Sequence, residues 1–129
     1  MTILTYVLLC SIVVMMKTKI IQIRQFCKAV DSLLKKGQLL QADFEQFKRS
    51  LAENPEVGDL VPGTGGLRKT RLKSAARGKS GGFRVCYYFF TRDNEIFLLT
   101  IYPKNVQENL TMQQKKGIEA VNRDYKPKL

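Results

Sequence analysis

The chain has 129 residues, 44% of them hydrophobic, which predicts one folded domain with its own core rather than a disordered tail. Its formal net charge of +11 favours a nucleic acid or an acidic protein as partner over a merely soluble basic surface. It contains no histidine, which excludes catalytic triads built on imidazole and removes the commonest metal ligand and general base.

The cysteines, Cys10, Cys27 and Cys86, form an odd set without C-x-x-C spacing. Cys27 lies in a helical pattern and Cys86 in a strand pattern, so we expect both to be small buried apolar residues. This usage fits a reducing cytoplasm and argues against a disulfide scaffold or a thiolate zinc site. We therefore predict a cytoplasmic protein that uses no metal and no other cofactor.

Residues 1–16 form an apolar leader, uncharged from Thr2 to Met16. It is shorter than the ~20 residues that span a bilayer, and it lacks the basic start and small-residue cleavage site of a signal peptide. Two methionines end it, and a single domain at 17–129 begins directly after them. The preferred interpretation is a start codon assigned too far upstream, without a membrane partner. A membrane anchor and a genuine extra strand or helix are the alternatives.

The first half of the domain predicts one strand and two helices. The strand covers Lys17–Ile23, which is rich in isoleucine. A helix follows that ends at Gly37, because apolar residues recur at helical spacing: Phe26, Val30, Leu33 and Leu34. A second amphipathic helix runs from Leu39 to about Glu53, where Asn54-Pro55 stops it. The two helices are expected to pack on one face of a sheet.

The second half predicts three strands and a last helix. The glycine-rich connector Val57–Gly66 has no G-x-x-x-x-G-K-[ST] match, so it is interpreted as a turn rather than a phosphate loop. The strands are Leu67–Lys73, Arg84–Phe90 and Glu95–Tyr102, the last two joined by a turn at Thr91-Arg92-Asp93-Asn94. Thr111 is the predicted N-cap of the final helix.

The stretch from Gly63 to Tyr88 is cationic and contains no Asp or Glu. Its basic residues are Arg68, Lys69, Arg71, Lys73, Arg77, Lys79 and Arg84. Alternation places Lys69 and Arg71 on one strand face, with Thr70 and Leu72 on the other. If the strands pair as a hairpin, Arg84 joins that face from the next strand, and Lys104 emerges at the end of the last strand. Such a surface suits a polyanion.

RNA carries its own nucleophile, because a ribose 2′-hydroxyl can attack the adjacent phosphorus and expel the 5′-oxygen. A protein then has to orient the strand, neutralise the phosphorane and move protons. Arginine suits neutralisation, since its planar fork makes paired bonds to phosphate oxygens. Lysine can help to move protons, and Tyr88 or Tyr102 can offer a hydroxyl or a ring on which a base stacks. Half-buried strand aromatics and a solvated basic face are the alternatives.

Three blocks in order, GTGGLRKTRL, GKSGGFRVCYYF and IFLLTIYPKN with NLT behind it, resemble the RelE-like toxins of bacterial toxin–antitoxin pairs, and most closely the HigB type. The resemblance covers roughly Ile20 to the final helix. It implies an α+β fold in which two N-terminal helices pack on a curved antiparallel sheet of about four strands, with a C-terminal helix. It also implies an endoribonuclease that cuts mRNA on the translating ribosome, and a cognate antitoxin with a DNA-binding domain.

Carried over by position, the resemblance predicts a catalytic set of four cations: Lys69, Arg71, Arg84 and Lys104. The predicted RNA-binding residues are Arg68, Lys73, Arg77, Lys79, Tyr88, Tyr102 and Asn105. The chain departs from the family at three positions. Asn105 stands where the RelE archetype has arginine, Thr111 stands near the place of a tyrosine, and Val106 replaces an acid that is common in the HigB branch.

Two other functions remain open at this point. A ParE-like toxin on the same fold would bind DNA gyrase without cleaving RNA, and a simple RNA-binding module would only hold phosphates. The four clustered cations favour cleavage, because a gyrase-binding face has no need of them.

Overall fold

The computed structural model describes residues 18–75, 82–104 and 110–125, and it confirms the α+β fold with two helices that precede most of the sheet. In chain order the elements are β1 (Lys19–Gln22), α1 (Arg24–Lys35), α2 (Gln41–Glu53), β2 (Asp59–Leu60), β3 (Arg68–Leu72), β4 (Phe83–Phe90), β5 (Glu95–Pro103) and α3 (Met112–Tyr125). The predicted leader lies outside the described residues, so its interpretation stays a prediction. Within the described ranges, no helix has the length and apolar character that a membrane crossing requires.

The sheet has five strands in the order β1-β5-β4-β3-β2 and is mixed, whereas about four antiparallel strands were predicted. β1 runs parallel to β5, and the other neighbours are antiparallel. The difference has a physical reason: apolar alternation places a strand's faces but says nothing about the direction of its neighbour. The added strand, β2, has two residues and lies inside the connector that was interpreted as a turn.

One face of the sheet packs against α1 and α2, as predicted, and we call it the helical face. The two helices contribute Phe26 and Phe44, whose ring centroids lie 6.2 Å apart. The buried sheet residues beneath them are Leu72, Phe83, Val85, Tyr87, Ile96, Leu98 and Ile101. Burying one such side chain contributes about 1.5–3 kcal/mol, so this cluster is the main source of stability.

Two predicted chain reversals are confirmed, and each uses a left-handed residue. Gly37 has φ 70°, and its N–H donates to Leu34 O, which ends α1. Asn94 has φ 53° at the end of the turn between β4 and β5, where asparagine tolerates that conformation. These reversals are local, which is why the sequence pattern predicts them.

A bulge in β5 decides which residues share a face with the predicted site. Cys86 pairs with Thr100, whereas Tyr87 pairs with Leu98, so Leu99 has no partner on β4. One extra residue reverses the alternation beyond it. Tyr102 therefore lies opposite Arg84 on the same face, whereas uninterrupted alternation from Leu98 would place it on the helical face.

The helix α3 covers part of the second sheet face. Ile118 is buried there in a cluster with Leu67, Cys86, Tyr88, Leu99 and Tyr102. The helix begins with a reciprocal capping box: Gln114 N–H donates to Thr111 Oγ1 at 3.1 Å, and Thr111 N–H donates to Gln114 Oε1 at 2.9 Å. The predicted N-cap at Thr111 is thus confirmed.

Candidate functional site

The second sheet face brings three of the four predicted catalytic cations together. We call it the cationic face, and its members on β3, β4 and β5 are Lys69, Arg71, Arg84, Cys86, Tyr88 and Tyr102. Arg71 pairs with Arg84 across the strands, and Arg84 pairs with Tyr102. Lys69 pairs with Cys86 in the next row. Like charges directly opposite each other on a sheet are destabilising, so the Arg71–Arg84 pair is unusual unless an anion lies on it.

The fourth predicted cation, Lys104, follows β5 directly. Its N–H donates to Gly82 O at 3.2 Å, which continues the pairing of β5 with the start of β4. It stands two residues past Tyr102 and is exposed, as is Lys73 just beyond β3. Strand alternation thus carries Lys104 toward the same face as Arg84.

In residues 18–75, 82–104 and 110–120, no acidic side chain forms an ion pair with a cation of this face. The ion pair that the structure shows among these residues lies on α2, where Lys48 Nζ is 3.0 Å from Glu45 Oε1. Arg84 and Lys69 are half-buried, and Arg71 is exposed. In residues 18–75, 82–104 and 110–120, no group of three or more cysteines and carboxylates could hold a metal ion. The chemistry that this face can support therefore depends on its positive charge.

Two buried groups beside Arg84, the Cys86 thiol and the Tyr102 hydroxyl, stay protonated at neutral pH. Burial raises the pKa of the Cys86 thiol to about 11, and burial together with the neighbouring Cys86 raises the pKa of Tyr102 to about 12. The Tyr102 hydroxyl is buried beside that thiol, and no described residue hydrogen-bonds to it with good geometry. Neither group can act as a general base near pH 7, although the Tyr102 hydroxyl can donate a hydrogen bond.

Tyr88, a predicted RNA-binding residue, is almost fully buried. Its ring lies parallel to Phe90, with centroids 5.9 Å apart, and its hydroxyl donates to Thr64 O at 2.6 Å. Burial raises the pKa of Tyr88, and the nearby Glu119 carboxylate adds to that effect. The residue holds the glycine-rich connector against the cationic face.

Arg68, also predicted to bind RNA, lies on the other face of β3. It pairs with Tyr87, and its guanidinium donates to Gly58 O at 2.7 Å and to Glu56 O at 3.1 Å. Both bonds come from one guanidinium nitrogen, Nη1, which is thus held by backbone carbonyls. We therefore assign Arg68 a structural role, because strand alternation separates it from Lys69 and Arg71.

Tyr87 is a residue that the sequence analysis did not single out. It is fully buried, and its hydroxyl donates to Pro55 O at 2.8 Å and accepts from Gly58 N–H at 2.9 Å. A Cβ on Gly58 would lie 2.8 Å from that hydroxyl. Tyr87 and Arg68 together fasten the connector that leads into β2 and β3, and so they position Lys69 and Arg71. The alternation with Val85 indicated a core residue but not this hydrogen bonding.

Three predicted RNA-binding residues, Arg77, Lys79 and Asn105, lie outside the described residues. The roles of all predicted site residues remain predictions. The structure places Lys69, Arg71 and Arg84 on one face and Lys104 at its end, with Tyr102 buried among them. Lys73 follows at the end of β3.

Comparison with known proteins identifies the family. Residues 12–127 match the model of the RelE toxin of the RelE/RelB toxin–antitoxin system, a match that begins inside the predicted leader. A solved structure of Escherichia coli toxin RelE, a double arginine-to-alanine mutant in the free state, is 17% identical. The similarity covers 84% of this chain and 98% of that one, with a TM-score of 0.51, and it shows a shared fold. Because the family model matches nearly the whole chain, this protein belongs to the RelE toxin family of toxin–antitoxin systems.

Proposed function

We propose that this RelE-family toxin is a ribosome-dependent endoribonuclease that cleaves translated mRNA and so inhibits translation in the cytoplasm. The observation that carries the proposal is the cross-strand row in which Arg71 faces Arg84, with Lys69 in the adjacent row and no acidic partner among the described residues. An RNA phosphate seated on this row would relieve the repulsion between the two guanidinium groups.

The arrangement suits the transition state better than the ground state. When the 2′-hydroxyl oxygen bonds to phosphorus, the phosphorane gains negative charge before the bond to the 5′-oxygen breaks. Arg84 and Arg71 can bind its non-bridging oxygens through paired N–H donors on a preformed sheet. The 2′-hydroxyl loses a proton and the 5′-oxygen gains one, which leaves a 2′,3′-cyclic phosphate and a 5′-hydroxyl. Lys69 and Lys104 are the residues we assign to these proton transfers.

The site has no strong general base, which supports the dependence on the ribosome. The chain has no histidine, and the raised pKa values of Cys86 and Tyr102 keep both protonated. Correct alignment of the attacking oxygen must then supply much of the rate enhancement, and alignment alone can contribute about 7–11 kcal/mol. A message held in the decoding site of a ribosome is an aligned substrate.

Toxins of this family are paired with an antitoxin, and the cationic face indicates its chemistry. An acidic segment laid over Arg71, Arg84 and Lys104 would block the substrate and gain from electrostatic steering. Two finer assignments rest on the sequence blocks alone: that the toxin is of the HigB-like branch, and that its antitoxin carries a DNA-binding domain.

The proposal is tested with the full chain in a translation reaction of purified components and one defined message. RNA ends are mapped by primer extension, with and without ribosomes. We expect cuts within codons that appear when ribosomes are present. An intact message together with blocked supercoiling in a parallel gyrase assay would overturn the proposal in favour of a ParE-like toxin, and binding without any cut would favour a simple RNA-binding module.

A further inference from the structure

The connector between β2 and β3 is a folded loop with its own hydrogen bonds. Val61 N–H donates to Leu67 O at 2.8 Å, and Leu67 N–H donates to Thr64 Oγ1 at 3.2 Å. Thr64 O in turn accepts the Tyr88 hydroxyl at 2.6 Å, which fixes the loop beside the cationic face. We call residues 61–66 the glycine loop. The sequence analysis did not interpret this loop as a phosphate-binding loop, because it matches no nucleotide-binding motif.

The glycine loop leaves a run of backbone donors unused. Gly63, Gly65 and Gly66 have φ values of 75°, 71° and 111°, which a residue with a side chain rarely adopts. In the described part of the chain, the N–H groups of these glycines and of Thr64 donate to no acceptor. Successive free N–H groups in a turn can form a concave anion-binding site.

A cavity of about 530 Å³ lies between the glycine loop and α3. Its floor is the cationic face, including Lys69, Tyr88 and Tyr102, and Lys115 and Glu119 of α3 form part of its wall. This volume lies in the range of small-molecule sites. Tyr102, which lines this cavity, has the buried hydroxyl without a good hydrogen-bond partner among the described residues. The cavity thus combines apolar and aromatic walls with two ammonium groups and unused donors.

The cavity is continuous with the proposed cleavage site through Lys69. Lys69 lines the cavity and stands two residues along β3 from Arg71, a distance of roughly 7 Å. That distance is close to the spacing of successive phosphates in an extended RNA strand. An RNA whose scissile phosphate lies on the Arg71–Arg84 row would therefore bring its neighbouring nucleotide to the cavity.

We propose that the cavity between the glycine loop and α3 is a second nucleotide subsite, which holds the RNA nucleotide next to the cleaved one. The free N–H groups of the glycine loop and the Lys115 ammonium bind its phosphate, and its base enters between the glycine loop and α3. The inference rests on the proposed function, since it takes the Arg71–Arg84 row as the place of the scissile phosphate.

The test uses the full chain, labelled with ¹⁵N, and a short RNA that cannot be cleaved because every ribose is 2′-O-methylated. Matched substitutions are available on one exposed helix. Lys115→Gln removes a cation that lines the cavity, Lys116→Gln removes an adjacent cation that does not, and Glu119→Gln removes the acid in the wall. Inorganic phosphate and 5′-AMP serve as comparison ligands.

We expect the amide resonances of Gly63, Thr64 and Gly65, which line the cavity, to shift as RNA is added. Lys115→Gln should weaken RNA binding roughly threefold to fivefold, Glu119→Gln should strengthen it roughly twofold to threefold, and Lys116→Gln should leave it within error. RNA binding without shifts in the glycine loop, or equal effects of Lys115→Gln and Lys116→Gln, would overturn the subsite. So would 5′-AMP or phosphate shifting these amides as strongly as RNA at the same concentration.

This readout is independent of cleavage. A chain that binds methylated RNA through the glycine loop but leaves messages intact on ribosomes would support the subsite and contradict the proposed function. A chain that cleaves messages but shows no shift of its glycine-loop amides when RNA is added would support the proposed function and contradict the subsite.

Discussion

Replacement of Arg84 by alanine is expected to lower ribosome-dependent mRNA cleavage by about 10²- to 10³-fold, the loss typical when one preorganised donor to a developing anion is removed. Arg84 stands in the middle of the cross-strand row, between Arg71 and Tyr102, and is half-buried. Its partial burial strengthens each interaction with phosphate compared with a fully solvated cation. The measurement is the single-turnover cleavage rate on programmed ribosomes.

Folding should survive this substitution. Within residues 18–75, 82–104 and 110–120, Arg84 forms no ion pair, so we expect the free energy of unfolding to change by less than about 0.5 kcal/mol. Arg84→Lys keeps the charge without the fork and should retain intermediate activity. Arg49→Ala is the matched control, because Arg49 is an exposed arginine on α2, away from β3, β4 and β5. Undiminished toxicity of the Arg84→Ala protein would refute the assignment of the cationic face as the catalytic site.

Replacement of Tyr87 by alanine is expected to cost about 3–5 kcal/mol of unfolding free energy, a large share of the roughly 5–15 kcal/mol that holds a domain together. The side chain is fully buried in the helical-face cluster. Its removal would leave a cavity and would also leave Pro55 O and Gly58 N–H without their partner. Urea unfolding followed by circular dichroism measures the loss.

Tyr87→Phe separates the hydroxyl from the ring. It should cost about 1–3 kcal/mol, because two backbone groups lose one partner while the packing remains. Tyr88→Phe is the comparison on the opposite face, where the hydroxyl donates one bond, to Thr64 O, and its removal should cost less. A Tyr87→Phe protein as stable as the unsubstituted chain would show that the hydroxyl does not fasten the connector.

Much of the fold follows from local sequence pattern. The helical periodicity of Phe26 and Val30, the stop at Gly37 and the cap at Thr111 each depend on neighbouring residues, and each is found in the structure. The parallel pairing of β1 with β5 and the short β2 depend on contacts between distant segments. Alternation within one strand carries no information about such contacts.

The candidate site was predictable to the same degree. Alternation correctly predicted that Lys69 and Arg71 share a face, and the hairpin pairing with Arg84 is confirmed. The same rule, applied to Arg68, assigns it to the opposite face, where the structure places it against backbone carbonyls. Alternation could not predict the sheet face on which Tyr102 lies, because the bulge at Leu99 reverses the alternation. No residue type in β5 indicates that bulge.

The central claim is that the cationic face promotes attack by the 2′-hydroxyl of the message itself. The most direct test is a message with a single 2′-O-methyl ribose on the 5′ side of a mapped cut, translated with the full chain and ribosomes. We predict that cleavage is lost at that position and persists at the unmodified codons of the same message. Cleavage that continues at the methylated position would contradict the claim, because the nucleophile would then be water or a protein group.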